Sequence, residues 1–159
     1  MRRRALLIFL GAFIVVVIDQ VSKFLVSTHL TLNESWYPFS FLKPIFALTY
    51  IHNTGAAFGL LQNQNLFFSI IAIIVISVII YYVRTEQQLD PLIALALALQ
   101  LGGATGNLID RLRQGYVVDF LHLNFWAISN VADVCISSGV VLLAYYLIFR
   151  SPPTQTADG

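Results

Sequence analysis

Four apolar stretches, at about residues 5–26, 66–83, 91–112 and 130–149, occupy most of this chain. Each is roughly 18–22 residues long, enough for a helix to cross a bilayer's hydrocarbon core. A spanning backbone finds no water to bond, so each stretch must satisfy its own hydrogen bonds as a helix. Of the 159 residues, 58% are hydrophobic and 11% charged, and the mean hydropathy is +0.78. So little charge cannot cover that much apolar side chain in water. The expected fold is therefore an all-α membrane protein, a bundle of four transmembrane helices forming one domain over residues 1–150.

The first stretch follows Arg2, Arg3 and Arg4, as a signal peptide would. It is too long for one, has no small-residue cleavage site, and carries Asp19 and Lys23 near its end, so it reads as a retained helix. The third opens at Asp90-Pro91, an N-cap residue followed by proline at the first helical position. If the helices alternate, Arg2, Arg3, Arg4, Arg84 and Arg150 share one side. The positive-inside rule then places both termini and the 84–90 loop in the cytoplasm. The tail, 151–159, has two prolines and no apolar run, and reads as disordered. The net charge of +1 suggests no nucleic-acid partner. The single cysteine, Cys135, excludes an internal disulfide and lies in an apolar run, where it reads as a packing residue.

Two segments face the outer side. The long one, 28–65, carries Trp36, Tyr37, Phe39, Phe41, Phe46 and Tyr50. Its alternating run Phe46-Ala47-Leu48-Thr49-Tyr50-Ile51 predicts a small β element at the interface between helices 1 and 2. The second, 113–129, is read as a loop and carries Asp119. His29, His52 and His122 are scattered without ligand-like spacing, so no metal site is expected and no cofactor is implied.

Charged side chains at membrane depth are costly and need a reason. Counting along the helices, Asp19 lies ~21 Å from the inner end of helix 1, with Lys23 one turn further out. Asn107, Asp110 and Arg111 lie ~22–28 Å into helix 3. Asp133 sits in the first turn of helix 4. Helices running in opposite directions thus bring their polar residues to one level. Gly103, Asn107, Asp110 and Arg111 are spaced i, i+4, i+7 and i+8, and Asn130 and Asp133 i, i+3, each set on one face. Asp19 and Lys23 are i, i+4 in the favourable order. Gly102 and Gly106 offer a small-xxx-small surface for helix contact.

Each of these has a bland reading too. Asp19–Lys23 reads first as a structural pair, and Asp110 and Arg111 as residues paired with other helices or with lipid headgroups. Asp119 alone fits an ordinary loop acid, and Asp133 alone a helix N-terminal acid favoured by the dipole. Read together, the two aspartates suggest an aspartyl-protease pair. The competing class is a small transporter or proton-relay protein using the same carboxylates. Against it, the acids cluster in one leaflet and no repeated half-sequence is present.

Four motifs carry a resemblance. They are Asp19-Gln20-Val21-Ser22-Lys23; Asn53-Thr54-Gly55-Ala56-Ala57-Phe58; Gly102-Gly103-Ala104-Thr105-Gly106-Asn107-Leu108-Ile109-Asp110-Arg111; and Val117-Val118-Asp119-Phe120 with Asn130-Val131-Ala132-Asp133. In this order, over about residues 15–140, the chain resembles lipoprotein signal peptidase (signal peptidase II), a family of bacterial intramembrane aspartyl proteases. It departs from the family at Ser129, where an aromatic residue is usual, and in a short 120–129 segment.

The resemblance implies a catalytic pair of Asp119 and Asp133. It implies Asn53, Gly103, Asn107 and Asn130 lining the site, Arg111 stabilising charge through Asp110, and Asp19 and Lys23 supporting the fold. It implies a monomer in the bacterial inner membrane with its site near the outer face. The substrate would be a prolipoprotein signal peptide bearing a diacylglyceryl-cysteine. Membrane lipid is the other expected partner.

Overall fold

The computed structural model describes residues 3–55, 61–86 and 88–150. The expected disordered tail at 151–159 and motif residues Ala56, Ala57 and Phe58 lie outside them. Four helices carry the chain through the membrane: α1 (Arg3–His29), α2 (Asn65–Thr85), α3 (Pro91–Gln114) and α4 (Val131–Phe149). All four are long and apolar enough to span, as the hydropathy of the sequence dictates. Their limits follow local chemistry. At the start of α3, Asp90 Oδ1 accepts from the Leu92 amide at 2.8 Å, with Pro91 at the first helical position. The helix stops at Gly115, whose φ of +81° is left-handed. α1 runs to His29, past the expected end near residue 26, and the chain turns at Asn33, whose φ is +69°.

α3 is the hub. Half of its most apolar window is buried, against 22% for α1 and α2 and 11% for α4. The remaining helix faces present Phe13, Ile74, Val141 and Leu147 outward, as a lipid-facing surface requires. Lipid tails are as apolar as leucine, so burial alone does not drive these helices together, and close packing must. Glycine provides it. A Cβ on Gly102 would lie 2.7 Å from the Ala12 carbonyl oxygen of α1, and one on Gly103 2.5 Å from the Ala132 carbonyl oxygen of α4. One cluster, with Ile8, Ile79, Val83, Leu97 and Leu101, holds α1, α2 and α3 at one end of the bundle. There Arg4 also donates to the Leu89 carbonyl.

The other end carries a three-stranded antiparallel sheet of β1 (Ser35–Trp36), β2 (Phe46–Asn53) and β3 (Val117–Leu123). The alternating run 46–51 is thus a strand. The sheet expected between helices 1 and 2 is there, and its third strand comes from the segment between α3 and α4, where 113–129 reads as a loop in the sequence; pairing with β2 makes residues 117–123 a strand. Val26, Tyr50, Val118 and Phe120 pack beneath it. The short 120–129 segment returns as a turn closed by Ser129. Its carbonyl accepts from the Phe120 and Leu121 amides at 2.8 and 2.7 Å, and its amide donates to the Leu121 carbonyl at 3.1 Å. This zipping to β3 delivers Asn130 to the start of α4.

Candidate active site

Asp119 and Asp133 reach the site from different kinds of element. Asp119 projects from β3 and is 1% exposed. Asp133 occupies the third position of α4 and is half-buried. An asparagine joins them. Asn130 donates from Nδ2 to Asp119 Oδ1 at 2.6 Å, and its Oδ1 accepts from the Asp133 amide at 2.9 Å. Asp133 Oδ2 in turn accepts from the Asn130 backbone N–H at 3.3 Å, completing a capping box.

Two more asparagines complete the frame. Asn53 Nδ2 donates to Asp119 Oδ2 at 2.8 Å, and Asn107 Nδ2 donates to Asp133 Oδ1 at 2.8 Å. Asn53 reaches its partner because β2 has an irregular register. Leu48 pairs with Leu121 and Ile51 with Asp119, so β2 advances three residues while β3 advances two. One extra residue in a strand moves everything beyond it to the opposite face. Without that bulge Asn53 would point away from Asp119. With it, the two are diagonal neighbours on one face.

Beneath the pair lies a buried ionic cluster. Lys23 Nζ is 2.9 Å from Asp19 Oδ2, 2.9 Å from Asp110 Oδ2 and 2.9 Å from Asn107 Oδ1. Asp19 Oδ1 accepts from the Ala132 amide at 3.0 Å, and Asp110 Oδ2 from the Val118 amide at 3.1 Å. These charges therefore satisfy backbone groups of α4 and β3 as well as each other, which offsets the cost of burying them. Removal from water pushes the Asp119 carboxyl up to about 7, and the nearby Asp133 charge adds to this; the amides of Asn53 and Asn130 and the Lys23 charge work against it. Two close carboxylates in such a setting can share a proton, one acting as base and the other as acid.

Asp19, Lys23, Asn53, Asn107, Asp110, Asp119, Asn130 and Asp133 form one connected network. Asp110 pairs with Lys23, and the Arg111 guanidinium lies over the Phe68 ring, 5.4 Å from its centroid. Gly103 sits against the α4 backbone, where it permits close helix approach. Gln20 had no assigned role, yet its Nε2 donates to Asp110 Oδ1 at 2.9 Å and to the Gly106 carbonyl at 3.2 Å. Its place beside Asp19 in the first motif was the available signal. The three histidines have local bonds: His52 Nε2 with the Tyr50 hydroxyl, His122 Nδ1 with Thr49 Oγ1, and His29 Nδ1 with the Leu25 carbonyl.

The family model described as Signal peptidase (SPase) II matches residues 11–149. The chain belongs to the signal peptidase II family. Membership makes it an enzyme, a lipoprotein signal peptidase of the aspartic class. Among its relatives, the lipoprotein signal peptidase of Moorella thermoacetica is 47% identical over 137 residues, covering 86% of this chain and 89% of the relative. That of Symbiobacterium thermophilum is 44% identical over 142 residues, covering 86% and 91%. That of Streptococcus pyogenes is 44% identical over 143 residues, covering 89% and 92%. Two solved structures of a bacterial membrane enzyme, obtained by the in meso method at 2.3 and 1.9 Å resolution, share the fold. The first has a TM-score of 0.81 at 33% identity, covering 88% of this chain and 86% of that one. The second has a TM-score of 0.80 at 32% identity, covering 91% and 94%.

Proposed function

We propose that Asp119 and Asp133 are the catalytic pair of a hydrolase that removes signal peptides from diacylglyceryl-modified prolipoproteins, cutting on the amino side of the lipidated cysteine. The observation that carries this reading is the shared asparagine: Asn130 is bonded to both carboxylates, which arrive from β3 and α4. The ionised carboxylate takes a proton from water as the water oxygen attacks the scissile carbonyl carbon. The protonated one donates to the carbonyl oxygen. When the tetrahedral intermediate collapses, the C–N bond breaks and the amine leaves with a proton returned from the pair. The pair titrates as a unit, so the proton belongs to both.

The supporting residues follow from position. Asn53, Asn107 and Asn130 hold the carboxylates. Arg111 brings positive charge to the substrate side. The signal peptide lies in the membrane and meets the pair at the sheet end of the bundle. The diacylglyceryl chains rest on apolar helix faces that lipid otherwise covers. The protein works as a monomer in the bacterial inner membrane, with both termini cytoplasmic and the site near the outer face.

The test is cleavage of a purified diacylglyceryl prolipoprotein in detergent by Asp119→Asn and Asp133→Asn. Each variant should remain folded and lose cleavage. Full processing by either one overturns the mechanism. The chemistry needs no metal, so chelation should leave the rate unchanged; a loss restored by zinc would contradict it.

A further inference from the structure

We propose that Lys23 is a positioning residue for the reaction: it fixes the side-chain amide of Asn107 so that its N–H, and not its oxygen, faces Asp133. This rests on the aspartate pair proposed above and goes beyond it, because Lys23 reaches neither carboxylate of that pair by a hydrogen bond. Its hydrogen-bond path to the pair runs through one intervening side chain, Asn107.

The argument is one of donors and acceptors. A lysine ammonium has three N–H donors and no acceptor. Here all three have partners at 2.9 Å: Asp19 Oδ2, Asp110 Oδ2 and Asn107 Oδ1. The Asn107 atom facing Lys23 must therefore be the oxygen, since a nitrogen there would set donor against donor. An amide has one oxygen and one nitrogen, so the other end, facing Asp133 Oδ1 at 2.8 Å, must be the NH₂. Rotating the amide by a half-turn would turn a lone pair toward the Asp133 carboxylate.

Asn130 alone would hold this orientation poorly. Its Nδ2 also donates to Asn107 Oδ1, at 3.1 Å, but the same NH₂ lies 2.6 Å from Asp119 Oδ1 and 3.3 Å from the Val118 carbonyl. Two hydrogens serve three acceptors, and the shortest bond goes to Asp119. Lys23 gives Asn107 a hydrogen of its own. The ammonium is also well fixed. Lys23 is 3% exposed, and Gln20 braces the carboxylates on either side of it, donating to Asp110 Oδ1 at 2.9 Å and Asp19 Oδ2 at 3.2 Å.

Lys23→Met alone would leave two buried carboxylates without their cation and threatens folding. The deciding variant is therefore the double substitution Lys23→Met with Asp110→Asn, which keeps the cluster's formal charge at −1. Thermal unfolding in detergent reports the fold, and cleavage of diacylglyceryl prolipoprotein gives kcat and KM separately. The expected result is a folded protein with kcat lowered roughly 10–100-fold, the weight of one hydrogen bond to a charged group, and KM unchanged. A folded double variant with kcat within about twofold of the parent overturns the proposal.

Asn107→Asp tests the same point without touching the cation. It keeps an oxygen for Lys23 and removes the donor to Asp133, and it should lower kcat by a similar factor. Parental kcat in this variant also overturns the proposal, whether or not the double variant folds. A purely structural Lys23 would move unfolding temperature and leave kcat per folded molecule intact. Asp119→Asn and Asp133→Asn report on the pair itself, so failure of the Lys23 variants with those two inactive would count against this proposal only.

Discussion

Asn130 and Asp133 cap one another at the start of α4: the Asn130 side-chain oxygen accepts from the Asp133 amide at 2.9 Å, and the Asp133 carboxylate accepts from the Asn130 amide at 3.3 Å. A device that ordinarily only starts a helix here also sets the rotamer of a candidate catalytic acid. Because the Asn130 oxygen is committed to the cap, its NH₂ is the end that meets Asp119.

Splitting those two jobs gives the first prediction. Serine caps helices about as well as asparagine but has no NH₂ to reach Asp119. Asn130→Ser should keep the helix cap, lose about 1–3 kcal/mol of stability because buried acceptors are left without their donor, and lower kcat by about 10–100-fold. Cleavage kinetics beside thermal unfolding in detergent would show it. A variant that loses stability but keeps the parental kcat per folded molecule would mean that Asn130 serves the fold alone.

Gly103 and Gly106 give the second. A Cβ on Gly103 would stand 2.5 Å from the Ala132 carbonyl oxygen, and one on Gly106 2.5 Å from Asp19 Oδ2. Backbone cannot swing aside as a side-chain tip can, so Gly103→Ala must push α4 away from α3. Overpacking of this kind costs about 1–3 kcal/mol. Thermal unfolding of Gly103→Ala should show that loss, and an unshifted midpoint would remove Gly103 from the packing role.

How far the sequence disclosed this arrangement depends on what each feature requires. The spans were legible because a hydropathy run needs no knowledge of neighbours. The Asp19–Lys23 pair was legible from i, i+4 spacing, and counting residues put Lys23, Asn107 and Asp110 at one level. What counting cannot supply is rotation about each helix axis. Adjacent residues point ~100° apart, and here Asp110 turns to Lys23 while Arg111 lies over Phe68. The bulge that turns Asn53 toward Asp119 was illegible for a related reason. A register exists only between two strands, and these are separated by more than sixty residues of chain.

Titration of Asp119 gives the third prediction. Burial first, and the neighbouring charge second, push its carboxyl up to about 7 from the ordinary 3.8. Between those limits the folded protein holds a proton that the unfolded chain has released. Stability contributed by this group is therefore full below pH 3.8, falls as pH rises through that window, and levels off above 7. Asp119→Asn should lack this component of the pH dependence. Activity should also decline on the alkaline side, with its midpoint near 7, as the pair loses the proton it gives to the carbonyl oxygen. A rate that stays flat from about pH 6 to about pH 9 would contradict a shared proton.

Orientation in the membrane gives the fourth. Among the described residues, the end of the bundle away from the sheet carries Arg4, Arg84 and Arg150 near its loops and termini, against Lys43 and Arg113 at the sheet end. Basic residues in short loops stay cytoplasmic, so the sheet and the aspartate pair should face outward. Cys135 is the sole native cysteine, which makes labelling direct: in a Cys135→Ser background, Phe125→Cys and Gln88→Cys mark opposite ends, both at exposed positions. A membrane-impermeant maleimide added to intact cells, with the outer membrane permeabilised where one is present, should label position 125 and spare position 88. After lysis it should label both. The reverse pattern would put the site on the cytoplasmic face, where a translocated prolipoprotein could not reach it.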